Sequence, residues 1–221
     1  MSQDQWTKVD RYITDLFVPP DEALDGALKD SEAAGLPAIA VSLAQGKMLH
    51  VLVLAMGARN ILELGTLGGY STIWLARALP KDGKLITLEF EPKHAEVAKK
   101  NIARAKLSKK VEILLGPALA TLPKLVAEKR GPFDLIFIDA DKETYPEYFQ
   151  WALKLSRRGT LIIADNIVRN GAITDPADPD IRVQGARRFN KLVAAEPRVT
   201  ATVIQTVGCK GYDGFGLIVV Q

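Results

Sequence analysis

Short apolar runs alternate with segments of helical period along most of the chain. "NILEL" (Asn60–Leu64) is the first run, "KLITLEF" (Lys84–Phe90) the second and Val111–Leu115 the third. Phe133–Asp139 and "TLIIA" (Thr160–Ala164) follow. Each is short and rich in residues that favour a buried strand. Between them, helical spacing predicts helices over Ser71–Ala78, Pro92–Ala105, Ala118–Glu128 and Tyr145–Leu155, with Asp180–Ala194 after the last; Pro92 is well placed in a first turn. Val199–Thr206 and Gly216–Val220 read as late strands joined through "VGCKGYDGF", a connection that suits an antiparallel hairpin.

Five strands separated by helices imply right-handed crossovers and a parallel sheet covered on both faces. With the hairpin added, the expected fold is α/β: a doubly wound, Rossmann-like, seven-stranded sheet, mostly parallel with an antiparallel C-terminal strand. One domain over 1–221 is expected, with an N-terminal helical region over about 1–34. In that region Trp6, Tyr12, Ile13, Leu16 and Phe17 form an apolar stripe that could pack on its own domain or on a second subunit. The one irregular stretch is "VRNGAITDPADPD" (Val168–Asp180), rich in Pro, Gly and Asp.

Composition adds limits rather than direction. The 221 residues carry 29 basic and 26 acidic side chains, a net charge of +3 that is too balanced to mark a nucleic-acid binder. The single cysteine, Cys209, permits no disulfide within the chain, so a reducing, cytoplasmic setting is expected. No signal-like apolar core opens the sequence, no run approaches the ~18 residues of a membrane span, and no membrane association is expected.

Doubly wound sheets bind ligands at the carboxyl ends of their strands, and chemistry-bearing residues cluster there. "ILELGTLGGYS" places glycines at 65, 68 and 69 after the first strand, where Gly65 lets the backbone approach a ligand. The spacing is not GxGxxG, which argues against a dinucleotide enzyme. Glu63, just before these glycines, would repel phosphate and attract a cationic ligand. Glu89 lies 24 residues after Gly65, where an acid hydrogen-bonds a ribose diol; Glu91, beside Pro92, fits a helix start better. A ribose-bearing cation without phosphates fits both acids, and S-adenosylmethionine is such a ligand. A plain tight turn is the competing reading of the glycines.

Asp139 ends the fourth strand, and Asp165 and Asn166 end the fifth, 26 positions on. Two carboxylates and an amide oxygen form a hard donor set that suits Mg²⁺, or another divalent cation such as Mn²⁺ or Ca²⁺, and leaves about three of six octahedral positions for water and a vicinal diol. Zinc would call for His or Cys, and the only histidines, His50 and His94, lie in helical patterns that suggest packing or surface roles. Lys142 follows Asp139 by three positions and could act as a general base if desolvated near a cation; a surface lysine is the alternative.

The motifs "ELGTLGGYS", "TLEFEP", "VEILLGPA", "FIDADKETY" and "ADN", in this order over roughly 35–220, resemble those of the cation-dependent O-methyltransferases. That family includes the catechol and caffeoyl-coenzyme A O-methyltransferases and their small bacterial relatives. The resemblance implies a class I methyltransferase fold and carries over several roles. Asp139, Asp165 and Asn166 match metal ligands, and Lys142 matches the proposed base. Glu63 and Ser71 match contacts to the methionine part of S-adenosylmethionine, Glu89 the ribose contact, and Ala118 the adenine contact. Asp139 is also expected near the sulfonium, and Val41 aligns with a segment covering the cofactor. The expected partners are a small phenolic acceptor and a second copy of the chain. One departure stands out: "ADK" replaces the "HWK" of the mammalian catechol enzyme, so that enzyme's aromatic gate is not implied. Some bacterial members methylate a hydroxyuridine in transfer RNA. Lys106, Lys109, Lys110, Lys129, Arg130, Arg157 and Arg158 are the basic positions that could serve such a substrate.

Overall fold

A computed structural model of the chain describes residues 2–221. Three helices come first: α1 (Gln3–Phe17), α2 (Glu22–Ala33) and α3 (Leu43–Met56). The alternating part then runs β1 (Asn60–Leu64), α4 (Tyr70–Ala78), β2 (Lys84–Glu89), α5 (Pro92–Arg104), β3 (Val111–Leu115), α6 (Ala118–Ala127), β4 (Leu135–Ile138), α7 (Tyr145–Lys154), β5 (Leu161–Ala164) and α8 (Ile181–Ala195). β6 (Val199–Gly208) and β7 (Gly211–Val220) close the chain.

The seven strands form one sheet in the order β3-β2-β1-β4-β5-β7-β6. β1 to β5 pair in parallel, and β7 pairs antiparallel with both β5 and β6. The order reverses between β1 and β4, where two crossovers diverge and open a crevice at the carboxyl edge. Alternate strand residues feed two cores. Ile61, Leu85, Leu135, Phe137 and Ile163 pack on one face with Leu49, Val53, Ile73 and Ile102. Leu62, Ile86, Ile136, Ile138 and Ile162 pack on the other with Leu122, Phe149 and Phe189.

The N-terminal helices are built into this body. Asp21 caps α2 and takes both Arg77 guanidinium nitrogens of α4, at 2.6 and 3.0 Å. Arg77's hydrogen bonds hold the Asp21 carboxyl below its usual range, with burial opposing. α1 rests against the β6–β7 hairpin, where Gln3 Nε2 donates to the Gly208 carbonyl at 2.9 Å and Asp10 accepts from the Cys209 amide at 2.9 Å. Tyr12, Ile13, Leu16 and Phe17 of its stripe stay exposed.

The late hairpin differs from the sequence expectation. Its strands run to Gly208 and from Gly211, leaving only Cys209 and Lys210 between them. Gly214, within the expected connection, is a strand residue, and at it and at Gly216 space is short. A Cβ on Gly214 would lie 2.5 Å from Val168 Cγ2 and 2.6 Å from the Ile204 carbonyl oxygen. A Cβ on Gly216 would lie 2.9 Å from Ile167 Cδ1. They admit the Ile167–Val168 segment that follows β5. The irregular stretch after β5 is also more ordered than expected, with a 3-10 turn over Arg169–Thr174 interrupted at Asn170 and Gly171.

Candidate active site

A cleft of about 820 Å³ opens at the carboxyl edge. Val41, Gly65, Ser71, Glu89, Ala118, Asp139, Lys142 and Asn166 all line it, so eight of the ten residues singled out from sequence face one space. Asp165 lies behind Asn166 at 4 % exposure, and Glu63 is sealed off at 0 %.

Gly65 is a backbone requirement. Its φ is +97°, and a Cβ there would stand 2.0 Å from the Asp139 carbonyl oxygen. Only glycine combines that conformation with so close an approach, and the approach sets the end of β1 against the end of β4. Gly69 (φ +82°) then opens α4 and carries Ser71 to the cleft.

Glu89 organises the glycine loop. One carboxylate oxygen accepts the Thr66 and Leu67 amides at 3.1 and 2.8 Å, and the other accepts the Glu91 amide at 2.9 Å. His94 of α5 stands beside it, Nδ1 3.4 Å from Oε1, and lines the cleft. The packing-or-surface expectation for His94 therefore misses its place. An imidazole one turn into the helix after an acid-tipped strand was the available signal.

Glu63 departs from the expected cofactor contact. Its oxygens accept the hydroxyls of Ser71, at 2.7 Å, and Thr72, so it acts on the cleft only through Ser71. Burial pushes its carboxyl up to about 7, against the pull of the Thr72, Ser71 and Thr87 hydroxyls. The unfolded chain releases that proton near 4.5, so folding takes up a proton between pH 4.5 and 7 and stability falls as pH rises through that window. Glu63→Gln should flatten the fall by roughly 2–3 kcal/mol, on the order of 5–10 °C in melting midpoint. Melting curves of parent and variant from pH 5 to 7.5 check this; parallel pH dependences would refute it.

The other side of the cleft is built on β4 and β5. The Asp165 amide donates to the Ile138 carbonyl at 3.0 Å, so Asp165 sits level with the end of β4. Its Oδ2 accepts Gln45 Nε2 at 2.7 Å and its Oδ1 accepts the Asn166 amide at 2.8 Å. Burial, and then the charge of Asp139, push its carboxyl well above the ordinary range. A buried carboxyl facing a second carboxylate's charge fits a site for a cation. Among the described residues, no three His, Cys, Asp or Glu side chains form a metal-binding group, so a cation here needs the Asn166 amide as its third protein donor. Asn166 has the left-handed conformation (φ 55°) and faces the cleft.

Lys142 is 8 % exposed and donates to Asp139 Oδ1 at 2.8 Å and to the Ala140 carbonyl at 3.0 Å. It is not the surface lysine of the alternative reading. Burial pulls its pKa down, but the charge and hydrogen bond of Asp139, with the neighbouring Tyr145 hydroxyl, together outweigh it and the net direction is up. The lowered pKa expected from the sequence is therefore absent. The 3-10 turn carrying Lys142 packs on α8 at Gly185, where a Cβ would stand 2.2 Å from the Lys142 carbonyl oxygen.

Two positioning residues went unrecognised in the sequence. The fully buried Tyr145 hydroxyl reaches the Ile138 carbonyl at 3.0 Å and the Asp165 carbonyl at 3.1 Å, tying the ends of β4 and β5 together. Its ring centroid lies 4.9 Å from Lys142 Nζ. Gln45 reaches Asp165 from α3, 120 positions away in sequence. Tyr145 was visible within "DKETY"; nothing in the sequence marked Gln45.

A family model described as O-methyltransferase matches residues 21–218. A Niastella koreensis protein named catechol O-methyltransferase is 56% identical over 221 residues, covering 100% of both chains. A Mycobacterium tuberculosis protein of the same name is 51% identical over 213 residues, covering 96% of this chain and 95% of its own. The crystal structure of an O-methyltransferase from Bacillus cereus in complex with SAH matches with a TM-score of 0.98 at 56% identity, covering 100% of each chain.

Proposed function

The chain belongs to the O-methyltransferase family, and from that premise we propose that it transfers a methyl group from S-adenosylmethionine to one hydroxyl of a catechol-type diol, with a divalent cation at Asp139, Asp165 and Asn166. One observation carries the reading: the ends of β4 and β5 bring two carboxylates, an amide and a buried lysine together beside the cleft that the glycine loop opens. Sequence relatives named catechol O-methyltransferase and the SAH in the Bacillus cereus structure support the acceptor class and the methyl donor.

The residues divide the work by strand. Ser71, Glu89 and Ala118 line the donor side, where Glu89 faces a ribose diol while its backbone hydrogen bonds keep it fixed. Val41, beside Ala40 and Ile39, covers that side with apolar surface and keeps water from the reacting methyl. Asp139, Asp165 and Asn166 hold the acceptor side, with Gln45 and Tyr145 fixing Asp165. A divalent cation held there supplies charge that lowers a hydroxyl's pKa and orients a vicinal diol. Were Asp139 shared with such a cation, the burial of Lys142 would favour its neutral amine, and Nζ could take the acceptor's proton. The freed oxygen displaces the methyl from sulfur in line, with no covalent enzyme intermediate. Positioning and charge stabilisation supply the rate.

The transfer-RNA reading loses support from topology. Its seven basic residues precede β3, β4 and β5, which puts them at the amino edge of a parallel sheet, opposite the cleft. Several are engaged: Lys110 with the Leu79 carbonyl, Arg130 with Glu112, Arg157 with Asp134. The stripe exposed on α1 supports a homodimer. Among the described residues, no helix is long and apolar enough to cross a membrane.

Methyl transfer from labelled S-adenosylmethionine to simple catechols should proceed with Mg²⁺ and fall to background with chelator. Undiminished transfer in chelator would remove the cation from the proposal, and no transfer by protein shown to bind the donor would remove the catechol acceptor.

A further inference from the structure

Three lysine and arginine side chains line the cleft: Lys142, Arg169 and Arg182. Lys142 is committed to Asp139 and the Ala140 carbonyl. Arg182 forks onto Asp180 through Nε and Nη2. Among the described residues, Arg169 alone of the three donates no side-chain hydrogen bond. Its Nε is buried without a partner, and its nearest carboxylate oxygen, Asp213 Oδ2, is 3.8 Å from Nη1, beyond hydrogen-bond reach.

The chain holds Arg169 there deliberately tightly. Asp213 Oδ1 accepts three backbone amides, from Val168 at 3.0 Å, Arg169 at 2.8 Å and Gly214 at 2.9 Å. That clamp fixes the segment after β5 to β7. Arg169 and Asn170 both adopt left-handed conformations, φ 55° and 54°, which cost energy in residues other than glycine. A strained, clamped segment thus presents a guanidinium three residues beyond Asn166, and both residues face the same cleft. Guanidinium forks match the geometry of a carboxylate, and a desolvated donor without a partner is costly until a ligand or water meets it.

We infer that Arg169 is a specificity-determining residue that binds a carboxylate on the methyl acceptor, so that the chain favours catechols carrying an acid group. The inference rests on the catechol reading of the cleft. Acids also line the space: Asp141 accepts the Tyr148 hydroxyl, and Glu143 lies near Arg182. A negatively charged acceptor therefore needs a cation of its own, and Arg169 is the one with donors to spare.

The test compares 3,4-dihydroxybenzoate with its neutral amide, 3,4-dihydroxybenzamide, in the parent protein, Arg169→Gln and Arg169→Lys. In Arg169→Gln the acid-to-amide ratio of kcat/KM should fall about tenfold or more, as expected for a lost charge-assisted contact, through a higher KM for the acid. Arg169→Lys, which keeps the charge but not the fork, should give an intermediate ratio. The ratio cancels both the fraction of folded variant and the electronic difference between the two compounds. A ratio unchanged from the parent overturns the inference and leaves the catechol reading standing. Methylation of neither compound by parent protein shown to bind S-adenosylmethionine overturns that reading, and this inference with it.

Discussion

Asp165→Ala should cut methyl transfer by about a thousandfold, the loss of several kcal/mol of charge stabilisation, while leaving S-adenosylmethionine binding within a few-fold of the parent. The selectivity follows from placement. Donor-side contacts come from the ends of β1, β2 and β3, whereas Asp165 ends β5, behind Asn166. Removing it deletes one of two carboxylates proposed to hold the cation and leaves Gln45 Nε2 and the Asn166 amide without their acceptor. It also removes a carboxyl whose ionised form is disfavoured by its burial beside the Asp139 charge. Those two effects act on stability in opposite directions, so the variant should stay folded near pH 7. Three measurements check it: turnover with saturating Mg²⁺, Mn²⁺ affinity by calorimetry, and donor affinity by the same method. The expected pattern is lost turnover, weakened Mn²⁺ and retained donor. Parent-like turnover in the variant would discard the role of Asp165.

Lys142→Met should lower kcat by about 10²–10⁴-fold, the usual worth of a positioned proton acceptor, with little change in KM. Methionine matches the length of the buried stem, so the space beside the Tyr145 ring stays filled. A merely structural lysine could also lower activity, and the acceptor's acidity separates the two cases. A nitrocatechol, whose hydroxyl ionises near neutral pH, needs little help losing its proton. It should recover most of the activity that catechol loses in the variant. Equal losses for both acceptors would leave Lys142 as an ion partner of Asp139 and nothing more.

How the two side chains came to be legible differs. Asp139 and Lys142 sit in one stretch, and the buried run before them marks a strand whose carboxyl end must reach a sheet edge. Asp165–Asn166 follows the next such run, so the same rule placed it alongside. Glu63 shows where that logic stops. It stands just before the glycines, but period-two alternation turns it into the core, where the Ser71 and Thr72 hydroxyls donate to it. Strand alternation was visible; which face each residue took depended on the helices packed against the sheet. His94 was misjudged for a related reason, because a helical period does not say that its first turn borders the cleft.

The alternating order of strands and helices, the sheet edge at which the cleft opens, and the acid, amide and lysine residues placed there are legible in the chain itself. These follow from local periodicity and from short-range motifs, which are properties of neighbours along the chain. Three-dimensional packing supplies the rest: the two-residue turn of the β6–β7 hairpin, the burial of Glu63, the reach of Gln45 from α3 to Asp165, and the Asp213 clamp on the Arg169 backbone, whose buried Nε has no hydrogen-bond partner. The last two join segments 120 and 44 positions apart in sequence. Gly214 reads as a turn residue until Val168 occupies the space that its missing side chain leaves. Whether a carboxylate or guanidinium is satisfied depends on what the whole fold brings within about 3 Å of it, and no local pattern carries that information.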